Sequence, residues 1–234
     1  MTADMYLGVR RAVETLNRSP AIRALVITGT GDVFCVGGDM GGGHDENPTV
    51  AAAVAAFGPE IAPFEAIRRS RKPVVAAVNG VCQGGGLLIA LVCDVCIVSD
   101  RATFRAPEVL RGVADTSFAA YLPAHIGLAR ARDLLLTGRR FDAGEAFEMG
   151  VASRLVPHES LAAATRIAAV DLVRGAPDAR WQMKRILNDR YGDVDRMTFE
   201  ASVFGPEAVE GFTAFVEHRA PCWIPDGFQP DGRL

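Results

Sequence analysis

Three consecutive glycines, Gly84-Gly85-Gly86, stand between two apolar runs, Val74 to Val78 and Leu87 to Val92. Glycines at a helix start let another group come close to the backbone, and the first N–H groups of a helix have no internal partner. Together with the helix dipole, those N–H groups suit a developing negative charge. Close helix–strand packing accounts for the same glycines equally well. A second strand-then-glycine unit lies earlier: Leu25 to Thr28, the turn Gly29-Thr30-Gly31, then Phe34-Cys35-Val36-Gly37-Gly38-Asp39. Two such units can each present one backbone N–H to a common point.

Other reactive residue types carry less. Gly41-Gly42-Gly43-His44-Asp45 is a polar loop with no Gly-Lys-Ser/Thr after it, which excludes a P-loop. His44 reads as a solvated loop histidine, with a base paired to Asp45 as the sharper alternative. No His/Cys/Asp/Glu grouping has metal-ligand spacing, so no metal is expected. Cys93 and Cys96 have redox spacing, but alternation along a buried strand explains it without thioredoxin-like surroundings. Arg68, Arg69, Arg71 and Lys72 form a basic cluster that suits a solvated helix end or a phosphate contact.

The elements that would position these residues alternate. Val74 to Val78 is rich in β-branched residues and bounded by Pro73 and Asn79-Gly80, which predicts a fully buried strand. A helix capped by Thr2 or Asp4 opens the chain, with Leu7, Val13 and Leu16 near one face. Residues 50–69 read as a helix with Val54, Phe57, Ile61 and Phe64 inward. Short strands are expected at Ala102 to Arg105 and Val151 to Val156, helices between Pro123 and Leu136 and over Ala143 to Met149, and helices with breaks over 158–219. Strand–helix alternation through residues 24–156 argues for α/β architecture. Residues 1–157 are read as the α/β core and 158–234 as a helical lobe rather than an independent domain.

The chain has 234 residues, 49% of them apolar, and a net charge of −3. That balance gives no electrostatic case for nucleic acid or a membrane surface. No apolar run approaches the roughly 20 residues of a membrane span, and the first residues lack a signal-peptide pattern; a cytoplasmic protein is expected. Only Lys72 and Lys184 are lysines among 25 basic residues, which reads as genomic bias.

Four ordered segments give a more specific reading: ALVITGTGDVFCVGGDM, KPVVAAVNGVCQGGGLLIALVCD, TFRAPEVLRGV and LLLTGRRFDAGEAFEMGVASRLV. In order and spacing they resemble the crotonase superfamily, also called the enoyl-CoA hydratase/isomerase family. The resemblance implies a crotonase-like spiral of ββα-type units with a C-terminal helical lobe. It also implies an acyl-CoA substrate, no cofactor beyond the coenzyme A carried by that substrate, and a homotrimer or dimer of trimers. The family places an antiparallel strand pair ahead of the first helix, and this sequence lacks it; either the start lies too far downstream or the member is shortened.

By the same resemblance, the backbone N–H groups of Gly38 and Gly85 form an oxyanion hole for the thioester oxygen. Gly37, Asp39, Met40, Gly41 and Gly84 line the substrate site, with Gly41 where a phosphate-binding lysine is often found. Hydratases of the family use two glutamates, one after the glycines and one after the next strand. Here the first position is Leu88 and the second is Glu108. One carboxylate with an apolar first position resembles the double-bond isomerases. Asp115 lies near the place where dienoyl-CoA and ring-modifying isomerases carry an aspartate, in a loop one residue shorter than theirs, and a helix N-cap is its competing role. Three functions stay open: isomerase through Glu108, hydratase with a rearranged site, or a non-catalytic acyl-CoA binder. Phe118 and Tyr121 suit the acyl pocket or the core equally.

Overall fold

The structure, a computed structural model, describes residues 1–38 and 62–225. It opens with α1 (Ala3–Arg18), started by the Thr2 hydroxyl, which accepts the Met5 N–H at 3.3 Å. The helix buries Tyr6, Val13 and Leu16, so its inward face is one residue off the expected line through Leu7.

Two four-stranded sheets follow, assembled by alternate strands. β1 (Leu25–Thr28), β3 (Val74–Val78), β5 (Val95–Ser99) and β8 (Arg154–Val156) form a parallel sheet in that order. β2 (Val33–Cys35), β4 (Val81–Gln83), β6 (Thr103–Arg105) and β7 (Arg140–Asp142) form the second, parallel except for β6–β7. In each of the three winds β1–β2, β3–β4 and β5–β6 the chain gives its first strand to one sheet and its second to the other. This is the expected spiral.

β3 shows why an unbroken apolar run forms a strand here. Val74, Ala76 and Val78 face the main core, while Val75 and Ala77 pack with Leu161 and Ala168 of α7 (Leu161–Arg174). A strand covered on both faces has no polar side to display. Asn79, at its end, locks neighbouring winds together. Its Oδ1 accepts the Gly29 N–H at 2.9 Å, and its Nδ2 donates to Gly31 O at 2.6 Å. The side chain thereby ties the β1–β2 turn to the β3–β4 turn.

The remaining helices are α2 (Phe64–Arg68), α3 (Gly85–Val92), α4 (Thr116–Ile126), α5 (Leu128–Thr137), α6 (Ala143–Met149), α8 (Pro177–Asn188), α9 (Arg196–Val203) and α10 (Pro206–Val216). α4 starts at Thr116, earlier than the helix expected from Pro123. Of the helix expected over 50–69, Phe64–Arg68 is helical and residues 62, 63 and 69 are not. Residues 50–61, with His44 and Asp45, lie outside the described residues. α3 carries seven buried residues in eight, so the glycine turn ahead of it is anchored in the core. No described helix is long and apolar enough to cross a membrane.

One expectation is corrected. Cys93 caps the end of α3 and Cys96 lies in β5, so their spacing spans a helix–strand corner rather than one strand. The two lysines also have a structural account. Lys72 Nζ donates to three carbonyls, Leu16 O at 2.8 Å, Ser19 O at 2.5 Å and Ile22 O at 2.8 Å. Lys184 Nζ meets Asp94 Oδ1 at 2.9 Å and Ile67 O at 3.0 Å in a largely buried pair. A compact ammonium with three rotatable donors fits such sites, and a planar guanidinium does not.

Candidate active site

The site is built where two glycine turns touch. Gly84, ahead of α3, has φ +53° and ψ −129°, which a side chain would strain. A Cβ there would sit 3.4 Å from Gly37 Cα and 2.8 Å from Glu108 Oε1. Gly84 spends its N–H on Arg105 O at 3.1 Å, and Gly37 spends its own on Cys35 Sγ at 3.4 Å. Among the described residues, the N–H groups of Gly38 and Gly85 carry no hydrogen bond. Cys35 braces both turns from below, and burial raises its pKa, so it stays a thiol.

Gly85 is glycine for a second reason: a Cβ would lie 1.9 Å from Tyr6 Oη. The aromatic ring of α1 therefore closes over the start of α3. Tyr6 is a cavity residue that the sequence reading missed. Its spacing with Val13 and Leu16 on one helical face was the available signal.

Glu108 follows β6 at the start of a short 3-10 helix, Glu108–Arg111. Its Oε2 is buried with no hydrogen-bond partner among the described residues. Burial raises the Glu108 carboxyl to about 8, and the Asp115 carboxylate adds to the rise. Asp115 is the N-cap of α4: Oδ1 accepts the Ser117 N–H at 2.9 Å and the Phe118 N–H at 3.3 Å. It also lines the cavity that contains Glu108. The two competing readings of Asp115 are thus compatible, with one oxygen committed to the cap. Burial raises this carboxyl too. Leu88, from the first turn of α3, lines the same cavity and is 2% exposed.

The cavity holds about 1090 Å³. It brings together Gly37, Gly38, Gly84, Gly85, Glu108 and Asp115, while Asp39, Met40 and Gly41 lie outside the described residues. Tyr121 lines it; Phe118 is buried in the core instead. Phe199, Phe212 and Phe215 from α9 and α10 form an aromatic wall opposite the sheets. Arg68 and Arg69 border the cavity paired with Glu65, and Arg71 lies over the Trp181 ring. Arg105, Arg111 and Arg140 also line it and were not foreseen. Arg105 stands three residues before Glu108 in TFRAPE, and its position at a strand end next to that carboxylate was the readable clue.

Known proteins resemble this chain over most of its length. The family model described as Enoyl-CoA hydratase/isomerase matches residues 1–225. The chain is similar to the mevalonyl-coenzyme A hydratase of Aspergillus fumigatus, 33% identical over 93% of this chain and 83% of that protein. It is similar to the crotonyl-CoA hydratase of Syntrophomonas wolfei, 34% identical over 96% of this chain and 89% of that protein. Among solved structures, it is similar to an enoyl-CoA hydratase/isomerase from Pseudoalteromonas atlantica T6c. That match has a TM-score of 0.78 and 31% identity, covering 94% of this chain and 89% of that one.

Proposed function

The chain belongs to the enoyl-CoA hydratase/isomerase family, and within it we propose a double-bond isomerase acting on an unsaturated acyl-CoA, with Glu108 as the single acid/base. The thioester oxygen of a 3-enoyl-CoA is received by the Gly38 and Gly85 N–H groups. The Glu108 carboxylate takes a proton from C2, and the electrons pass to the thioester oxygen to give a dienolate. The protonated Glu108 returns that proton to C4, the double bond settles between C2 and C3, and Glu108 is an anion again. The product has the mass of the substrate. Preorganised N–H donors aimed at such a charge contribute roughly 3–4 kcal/mol each when judged by removing one.

The observation that supports this reading is Leu88. It occupies the turn after the glycines with an apolar, buried side chain in the same cavity as Glu108. Adding water calls for a base on the water and an acid at the α-carbon, and α3 offers neither. Burial of Glu108 suits a group that must hold and release a proton near neutral pH.

A second reading has its own support. Asp115 faces the same cavity and influences Glu108, so the pair could serve a hydratase, and the relatives named above are called hydratases. Product analysis separates the two. Purified protein is offered a 3-enoyl-CoA and a 2-enoyl-CoA in separate reactions, with products resolved by mass and retention time. Conversion of the 3-enoyl substrate at unchanged mass supports the isomerase. Gain of one water by the 2-enoyl substrate, without shift of the 3-enoyl one, overturns it in favour of the hydratase.

A further inference from the structure

β6 and β7 pair antiparallel, and their register sets Arg105 directly opposite Arg140. Like charges directly opposite across a strand pair destabilise it. Arg105 is also largely buried, 9% exposed, and its Nε donates to Gly138 O at 2.7 Å. Arg111, three residues past Glu108, lies over Phe215 with its guanidinium carbon 3.9 Å from the ring centroid. All three arginines line the cavity beside Glu108. None forms an ion pair with a carboxylate among the described residues, in contrast to Arg68, Arg69 and Arg139.

Arg105 is the costly member of this cluster, since Arg111 is half-buried and Arg140 exposed. A buried cation needs a compensating charge, and Arg105 is further depressed by Arg140, as Arg111 is by Arg105. Glu108 does not cancel three guanidinium groups, because its own burial favours the protonated form. An anion delivered with the ligand would remove the conflict. Guanidinium forks match a carboxylate with paired hydrogen bonds. The cluster adjoins the group that works on the acyl carbons, so this anion belongs to the acyl chain.

We propose that the acyl group carries a second carboxylate beyond its reacting carbons, bound by Arg105, Arg111 and Arg140. This rests on the cavity taking an acyl-CoA, as proposed above. The substrate class is then a mono-thioester of an unsaturated dicarboxylic acid. Plain aliphatic chains bind less well, and cationic chains are rejected.

The test uses saturated thioesters, which bind without turnover. Dissociation constants are measured by calorimetry for succinyl-, glutaryl- and adipyl-CoA against butyryl-, valeryl- and hexanoyl-CoA of the same chain lengths. Wild type should prefer the carboxylated partner in at least one pair by about tenfold or more. Arg105→Met and Arg140→Met should each cut that preference to about threefold or less while leaving the aliphatic partner's affinity in place. Arg140 is exposed and outside the core, so its variant keeps the test valid if Arg105→Met does not fold. Equal affinity within every wild-type pair overturns the carboxylate proposal while leaving the acyl-CoA reading standing. Failure of all six to bind overturns both.

Discussion

Gly84 and Glu108 are packed so closely that a Cβ on Gly84 would lie 2.8 Å from Glu108 Oε1. The turn that ends in the Gly85 N–H and the carboxylate proposed to move the proton are therefore held in one fixed relation. Two neighbouring strands of one sheet produce it: β4 runs into Gly84, β6 runs towards Glu108, and Gln83 pairs with Arg105 between them.

Gly84→Ala should disturb both partners at once. The positive φ costs an alanine about 1–3 kcal/mol, and the added methyl pushes the carboxylate away. The expected outcome is a lower melting temperature together with a fall of about 100-fold or more in kcat/KM. A variant with wild-type activity and stability would show that the contact is not part of the site.

The pH dependence has a defined sign. Glu108 acts first as a base, so kcat/KM should rise with pH, with the midpoint of the limb near 8, the value to which burial and Asp115 raise it. Asp115→Asn removes one of those influences, and the rising limb should move to lower pH. Asparagine is nearly as good an N-cap as aspartate, so α4 should keep its stability. An unmoved limb would mean that Asp115 does not influence Glu108.

The same shift bears on stability. Folded Glu108 keeps its proton between its ordinary value of 4.5 and about 8, where the unfolded chain has lost it. Stability should therefore fall as pH rises through that window. Glu108→Gln should flatten the slope and be the more stable protein at pH 9, by more than about 1 kcal/mol. Denaturant titrations at pH 5 and pH 9 check this, and parallel profiles for the two proteins would contradict it.

Leu88→Glu would supply the carboxylate that α3 lacks. Burying it should lower stability by a few kcal/mol, about 2–4. Measurable addition of water to a 2-enoyl-CoA should appear, because an acid and a base would then flank the acyl carbons. Absence of hydration in a folded variant would detach Leu88 from the choice of reaction.

Lys184→Met would strand Asp94, which accepts the Val74 N–H at 2.8 Å as well as the lysine. Removing one partner of a buried pair costs about 3–5 kcal/mol, and thermal unfolding measures it. A loss below about 0.5 kcal/mol would class the pair with exposed ones.

The strands and helices of the α/β core were readable because their signals are local, while their winding into a spiral came from the family resemblance. Pro73 and Asn79-Gly80 bracket β3, Gly150 stops α6, and the glycine turns stand in plain sight. The candidate site was readable in part for the same reason: Gly38, Gly85 and Glu108 belong to contiguous motifs. Helical spacing marked Tyr6 and a strand-end position marked Arg105, but their roles and that of Arg140 were not readable, because those arise from pairing across distance. Only the β6–β7 register sets Arg105 against Arg140, and only the packing of α1 brings Tyr6 Oη over Gly85. The lysines teach the same lesson, since the three carbonyls around Lys72 converge only in the folded chain.

The most direct measurement compares wild type with Glu108→Gln on a 3-enoyl-CoA, reading turnover and, separately, affinity for a saturated acyl-CoA. Loss of turnover by about 100-fold or more, with affinity unchanged within about threefold, is the result expected if Glu108 moves the proton. Turnover that survives in the variant at a similar rate would contradict the account, in which Glu108 is the single acid/base.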